Sequence, residues 1–361
     1  MILSRYLMQA FFGSFVILLT GLVFFLQTLD LLAVANDVLA GGGEPLPTLA
    51  RYVSLRMPGL VETVAPLAAL LGALTSMVTM ATNSEILAMR AAGRSVLSLV
   101  GGLVSVGLVL SAALFLFSEF VVVRANGELQ AWRDADFKTG DQPVQNAENS
   151  WIREGSAILR IGKILRDGTV LQDMRIFKQD ANGNIADILG IRLAIWENDH
   201  WNAVEVTRIG GLTSQSDDTV PLTWDTQLKP EHFLRTASQH PNELSLNALQ
   251  QYIGTVAIGS RPGYFYDTWL QQKVAGPIVL ALMPLLAAIA AFAHHRQGSS
   301  VVTVVWGISI GFAFVVIDNV VLAMGQFGAL PPMMAAWLPL ALFGTLGLWL
   351  VFNLEHTGAR T

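Results

Sequence analysis

The chain has 361 residues, of which 53% are hydrophobic and only 14% charged, against about 25% charged in ordinary soluble domains. This balance excludes a disordered chain, which needs low hydrophobicity and high net charge, and it argues against a soluble globular enzyme. The net charge of −5 offers no basic excess to grip nucleic acid, and the absence of cysteine removes disulfides, thiolate metal sites and cysteine nucleophiles.

The charges are unevenly placed. Residues 125–266 carry 31 of the 49 charged side chains. On either side lie long runs without Asp, Glu, Lys, Arg or His: 6–29, 63–84 and 95–118 before the polar block, then 274–293, 297–317 and 333–354 after it. A helix needs about 20 apolar residues to cross a hydrocarbon core about 30 Å thick. Only helices and closed barrels satisfy their backbone hydrogen bonds in lipid, so the six runs are expected to be transmembrane helices, three on each side of the insert. The first run follows Arg5 and precedes Ala33-Val-Ala35, which resembles a signal-peptide cleavage site. Its length exceeds the roughly 7–15 residues of a signal h-region, so it is expected to stay as a membrane helix.

Basic residues in short loops set the orientation. With the N-terminus cytoplasmic, Arg5, Arg90, Arg94, Arg296 and Arg360 fall inside, and only Arg51 and Arg56 outside. Both termini are therefore expected in the cytoplasm, with the insert and a loop over 33–57 on the far side.

The insert reads as β structure. Short apolar segments such as 157–161, 170–177, 188–196 and 203–209 alternate with turn-forming clusters at 167–168, 181–184 and 197–200. This spacing suggests an antiparallel sandwich or roll. Residues 125–148 read as a polar lead-in, and 243–254 as a short helix with Ser245 at its N-cap. The expected division is 1–123 for the first three spans, 124–264 for a β-jellyroll-like domain and 265–361 for the last three spans.

Motifs for chemistry are weak. Gly307-Ile-Ser-Ile-Gly311 matches a serine-hydrolase pattern, but it lies inside an apolar helix. A small-residue helix interface is the better reading. His294-His295 has no third metal ligand at suitable spacing, and the chain contains no phosphate-binding P-loop. Asp30, Glu62 and Asp318 all fall near the outer ends of their spans, so they do not form a relay at mid-membrane.

The connection between the second and third spans is more specific. It reads Thr82-Asn-Ser-Glu-Ile-Leu-Ala-Met-Arg-Ala-Ala-Gly-Arg-Ser95. Ser84 suits an N-cap, Glu85 suits the positive end of a helix dipole, and Gly93 suits the stop. A short cytoplasmic helix over about 83–94 follows, either a plain connector or a helix that docks into an ATPase.

At these residues the chain resembles the LptF/LptG family of lipopolysaccharide export permeases. Ser84, Glu85, Met89, Ala91 and Gly93 match the family's S-E-x-x-x-M-x-A-x-G pattern. Pro66-Leu-Ala-Ala-Leu-Leu-Gly72, Lys273-xxx-Pro277, the stretch 307–318 and Leu330-Pro-Pro332 also agree, and the last two look more like the LptG side of the family. The resemblance implies a heterodimer with an LptF-like permease, mounted on two LptB-like ATPase subunits in a bacterial inner membrane. ATP would be used by that partner, with no cofactor bound by this chain. Lipopolysaccharide would pass through periplasmic jellyrolls toward LptC-like and LptA-like proteins. It also implies that Ser84, Glu85, Met89, Arg90 and Gly93 couple to the ATPase. Spans one, two and five would line a lipid cavity, with Phe24, Leu67 and Phe314 as lining candidates. Arg51, Arg56, Arg124 and Lys273 are expected near the lipid phosphates. Gln27 stands where relatives can carry a lysine, and residues 31–50 contain no Lys or Arg, so the phosphate contacts must differ from those relatives or come from the partner subunit. An ion-driven secondary transporter would need broken helices and midplane polar sites in both halves, which the sequence does not display. A membrane scaffold or sensor would differ from the permease in lacking an ATPase partner.

Overall fold

The apolar runs fold as helices that continue well past the hydrocarbon. The computed structural model describes residues 2–93, 95–137, 150–154, 157–165, 168–180, 184–197, 199–208, 222–224, 226, 229–230, 244–255, 262–294 and 300–358. Six of its helices are long and apolar enough to cross a membrane. They are α1 (Ile2–Ala40), α2 (Pro45–Thr82), α4 (Val96–Phe117), α7 (Gly263–His294), α8 (Ser300–Gln326) and α9 (Pro332–Gly358). A seven-residue helix, α3 (Glu85–Ala91), joins α2 to α4. His295, Arg296 and Arg360 lie outside the described residues.

Two expectations are corrected. The loop expected over 33–57 shrinks to residues 41–44, because α1 runs to Ala40 and α2 begins at Pro45. Gly42 and Gly43 adopt φ of +83° and +117° in this turn, a region open to glycine, and Pro45 starts the next helix where its missing N–H costs nothing. The polar lead-in expected from residue 125 begins as a helix instead. A π-helical turn over Ser118–Val122 carries α4 into α5 (Val123–Asp134). Buried Val122, Ala125, Leu129 and Trp132 recur at helical spacing among polar neighbours. In both places the first charged residue marks where the apolar run ends, not where the helix ends.

The chain divides into two compact units. The first contains residues 1–40, 44–129 and 267–361. Its core joins Leu7, Phe11 and Phe15 of α1 to Leu70, Leu74 and Met77 of α2. Leu103 of α4 and Leu280 and Leu286 of α7 belong to the same core. The fourth span, α7, is buried along most of its length, while the first and fifth spans are largely exposed.

Gly307 and Gly311 both lie inside α8, with no strand or turn near them, so the hydrolase elbow is absent there. Any Cβ at these positions would overlap Leu74 and Leu70 of α2. The pair is a small-residue helix interface, as the sequence suggests. Gly311→Leu should therefore overpack the α2–α8 seam at a cost of about 1–3 kcal/mol. Gly21→Leu, with nothing within 4 Å of its added Cβ, should leave the melting temperature of the detergent-solubilised protein near that of the native chain. Equal melting temperatures for the two variants would contradict this packing.

The second unit contains residues 41–43 and 130–266. Its strands are β1 (Ser150–Glu154), β2 (Ala157–Leu165), β3 (Val170–Gln179), β4 (Ile185–Glu197), β5 (His200–Arg208) and β6 (Leu222–Trp224). They form an antiparallel sheet in sequential order. Segments 209–221 and 231–243, between later elements, lie outside the described residues. Leu159, Ile161, Leu171, Ile176 and Trp201 belong to its hydrophobic core. The Asp180 carboxylate accepts from the Asn184 backbone N–H at 2.9 Å and closes the β3–β4 turn. Gly162 faces Asp173, whose φ is +51°, and a Cβ there would lie 2.8 Å from the Asp173 Cβ. Helix α6 (Leu246–Thr255) begins as the sequence suggests, with the Ala248 backbone N–H donating to Ser245 Oγ at 3.1 Å.

Candidate functional site

The short helix α3 shows one apolar face and one open face. Ile86 and Met89 are buried in the core of the helical unit, while Leu87, Ala88 and Ala91 are exposed. A seven-residue helix is too short to stand alone, and this buried pair is what anchors it. Ser84 departs from the expected cap. Its carbonyl accepts from the Ala88 N–H at 3.0 Å and so starts the helix, but its φ is +59°, not the extended backbone usual for an N-cap. The tight α2–α3 turn imposes this, since the Ser84 N–H is tied back to the Ala81 carbonyl. Gly93 takes φ +84°, the left-handed stop expected of it. Ser95 then caps α4 by accepting from the Ser98 N–H. The Arg90 side chain and all of Arg94 lie outside the described residues.

Glu85 sits at the N-terminus of α3. Its Oε1 is 3.5 Å from both the Tyr6 hydroxyl and the Asn83 amide, at the limit of hydrogen bonding. Its Oε2 is out of solvent and has no hydrogen-bond donor among the described residues. A carboxylate left short of donors is costly in isolation and suits a cationic group supplied from outside.

At the other end of the membrane unit, Asp30 ties α1 to α2. Tyr52 donates to Oδ2 at 2.6 Å, and the Arg56 Nε donates to Oδ1 at 3.2 Å. Tyr52 is fully buried, and it lies one helical turn before Arg56, so both reach the same carboxylate. The sequence singles out Asp30 and Arg56 but not Tyr52, whose signal is this four-residue spacing. Gln27, one turn earlier on α1, is buried, and neither of its amide atoms has a partner among the described residues. Arg51 and Arg124 are exposed.

Lys273 is placed differently from the expectation. Its ammonium is 3.8 Å from the Glu119 carboxylate, and its side chain is only 12% exposed. Beside it, Ser118 donates to Glu62 Oε1 at 2.6 Å. Burial in apolar surroundings selects for an opposite charge nearby, and Glu119 supplies it. Sequence reading passes over Glu119 because it lies outside the apolar runs.

The three lining candidates divide. Phe24 is 74% exposed and Leu67 is 40% exposed, so both present apolar surface. Phe314 is 1% exposed, with its ring packed edge-on against Phe343 at 5.2 Å. It is part of the α8–α9 core and not of an open lining. The helix face could not be read from α8, which is apolar all round.

A sequence model of the lipopolysaccharide export system permease LptF/LptG family matches residues 5–352, through both membrane halves and the insert. The chain belongs to that family. Among relatives, it is 25% identical over 364 residues to the lipopolysaccharide export system permease protein LptG of Escherichia coli strain K12, covering 98% of each chain. The LptG protein of Haemophilus influenzae is 25% identical over 306 residues, which is 83% of this chain and 84% of that one. An LptF/LptG-family permease is a multi-pass membrane protein, and the six long apolar helices here agree with that. Nothing in the described residues assembles three or more His, Asp or Glu into a metal-binding group.

Proposed function

We propose that this chain is the transmembrane permease subunit of an ABC-type lipopolysaccharide export complex. It lifts lipopolysaccharide out of a bacterial inner membrane and passes it through its β insert toward the outer membrane. The observation that carries this reading is the family match over residues 5–352, in which six spans and the insert occur in order. Both termini and α3 lie in the cytoplasm, and the insert lies in the periplasm. An LptF-like subunit completes the pair, two LptB-like subunits hydrolyse ATP, and LptC-like and LptA-like proteins receive the lipid. The donor-poor Glu85 carboxylate and exposed Leu87 on α3 support an ATPase docking helix. A pull-down of the tagged chain in mild detergent tests the assembly. A second permease subunit, an ATPase and lipopolysaccharide should be recovered together, and a chain recovered without an ATPase would exclude the reading.

The acyl chains need apolar surface, which Phe24 and Leu67 offer. A photoreactive residue at either position should capture lipopolysaccharide in living cells. The same residue at Phe314 should capture no lipid, because that site is closed by Phe343. Lipid capture at Phe314 but not at the other two would reverse the assignment.

A further inference from the structure

The third and fourth spans carry the chain into and out of the β insert. Their contacts form one antiparallel seam. At Gly107 an added Cβ would lie 2.9 Å from the Ala281 Cα, so the two backbones touch. One turn along α4, buried Ser111 donates to the Pro277 carbonyl of α7. One turn further along α7, Lys273 reaches Glu119. Glu119 belongs to the π-helical turn, in which the Val123 N–H reaches back five residues to the Ser118 carbonyl. This widened turn presents consecutive side chains to two neighbours. Ser118 bonds Glu62 of the second span, and Glu119 pairs with Lys273 of the fourth. Glu62 attracts the same ammonium. Isolated π turns are frequent at functional positions, and a part-buried lysine is costly to leave without its carboxylate partner.

We propose that Glu119 and Lys273 are positioning residues. They form a strap that holds the second, third and fourth spans together where the chain enters and leaves the β insert, and Lys273 serves this strap, not a lipid phosphate. The proposal rests on the permease reading above. The strap holds these three spans in register with one another, so its loss wastes ATP turnover without stopping it.

The test compares Glu119→Gln, Lys273→Gln and the exchanged pair Glu119→Lys with Lys273→Glu, each in the full complex reconstituted in vesicles. ATP hydrolysis and lipopolysaccharide released per ATP are measured together. Both single variants should keep ATP hydrolysis within about twofold while release per ATP falls about tenfold, and the exchanged pair should recover most of it, as coupled contacts do. A general loss of folding would lower both quantities in step and would not be mended by exchange. If Lys273 instead held a phosphate, Glu119→Gln would raise bound lipid by removing a negative charge, and the exchanged pair would stay defective. Either result overturns the strap, as does an exchanged pair that fails to accumulate. A native complex that carries no lipopolysaccharide would sink the permease reading itself.

Discussion

Glu85→Lys should abolish export while leaving the six-span fold intact. Glu85 begins α3, where the helix dipole favours a negative charge, and Ile86 and Met89 anchor the helix from the other side. Fold stability therefore resides in the buried pair, and on the proposed function the carboxylate is the group that a partner would meet. Its Oε2 has no hydrogen-bond donor among the described residues. A lysine there would oppose both the dipole and any basic group on the ATPase. Reversing one member of a hydrogen-bonded charge pair at an interface costs roughly 2–5 kcal/mol or more, which is at least about thirtyfold in affinity. ATPase recovered per tagged chain should fall by that factor, with an unchanged circular dichroism spectrum. Glu85→Gln should fall between native and lysine variants. Full ATPase recovery with Glu85→Lys would show that α3 is only a connector.

Arg56→Glu should strongly reduce the lipopolysaccharide that co-purifies with the complex. Arg56 is held by Asp30, yet its side chain remains 34% exposed, so the guanidinium can face a phosphate while anchored from behind. Charge-assisted contacts to phosphate are among the stronger hydrogen bonds, and arginine offers five donors for them. Arg56→Glu removes that donor set and places two carboxylates together, so bound lipid should fall about tenfold or more. A second variant separates the two effects. Asp30→Asn with Arg56→Gln removes the repulsion but restores no cation, and its bound lipid should stay low. Recovery to the native level would mean that Arg56 only neutralises Asp30, leaving the phosphates to exposed Arg51 and Arg124 or to the partner subunit.

The sequence by itself determined the six spans, the β insert, the small-residue role of Gly307 and Gly311, and the stop at Gly93. Each rests on a local property: an apolar run of sufficient length, alternation between turn residues, or a backbone that only glycine adopts easily. It also carried the family, because the motif around Ser84–Gly93 is contiguous. Tertiary structure decided where the charges go. Arg56 and Asp30 are 26 positions apart, and Lys273 and Glu119 are separated by the whole insert, so no window of sequence joins them. Structure also decided which face of an apolar helix is closed. Phe314 and Phe24 look alike in sequence, but Phe343 covers one and the other stays open. A membrane helix that is apolar all round has no polar stripe to mark its outside, and so only packing against its neighbours assigns its faces.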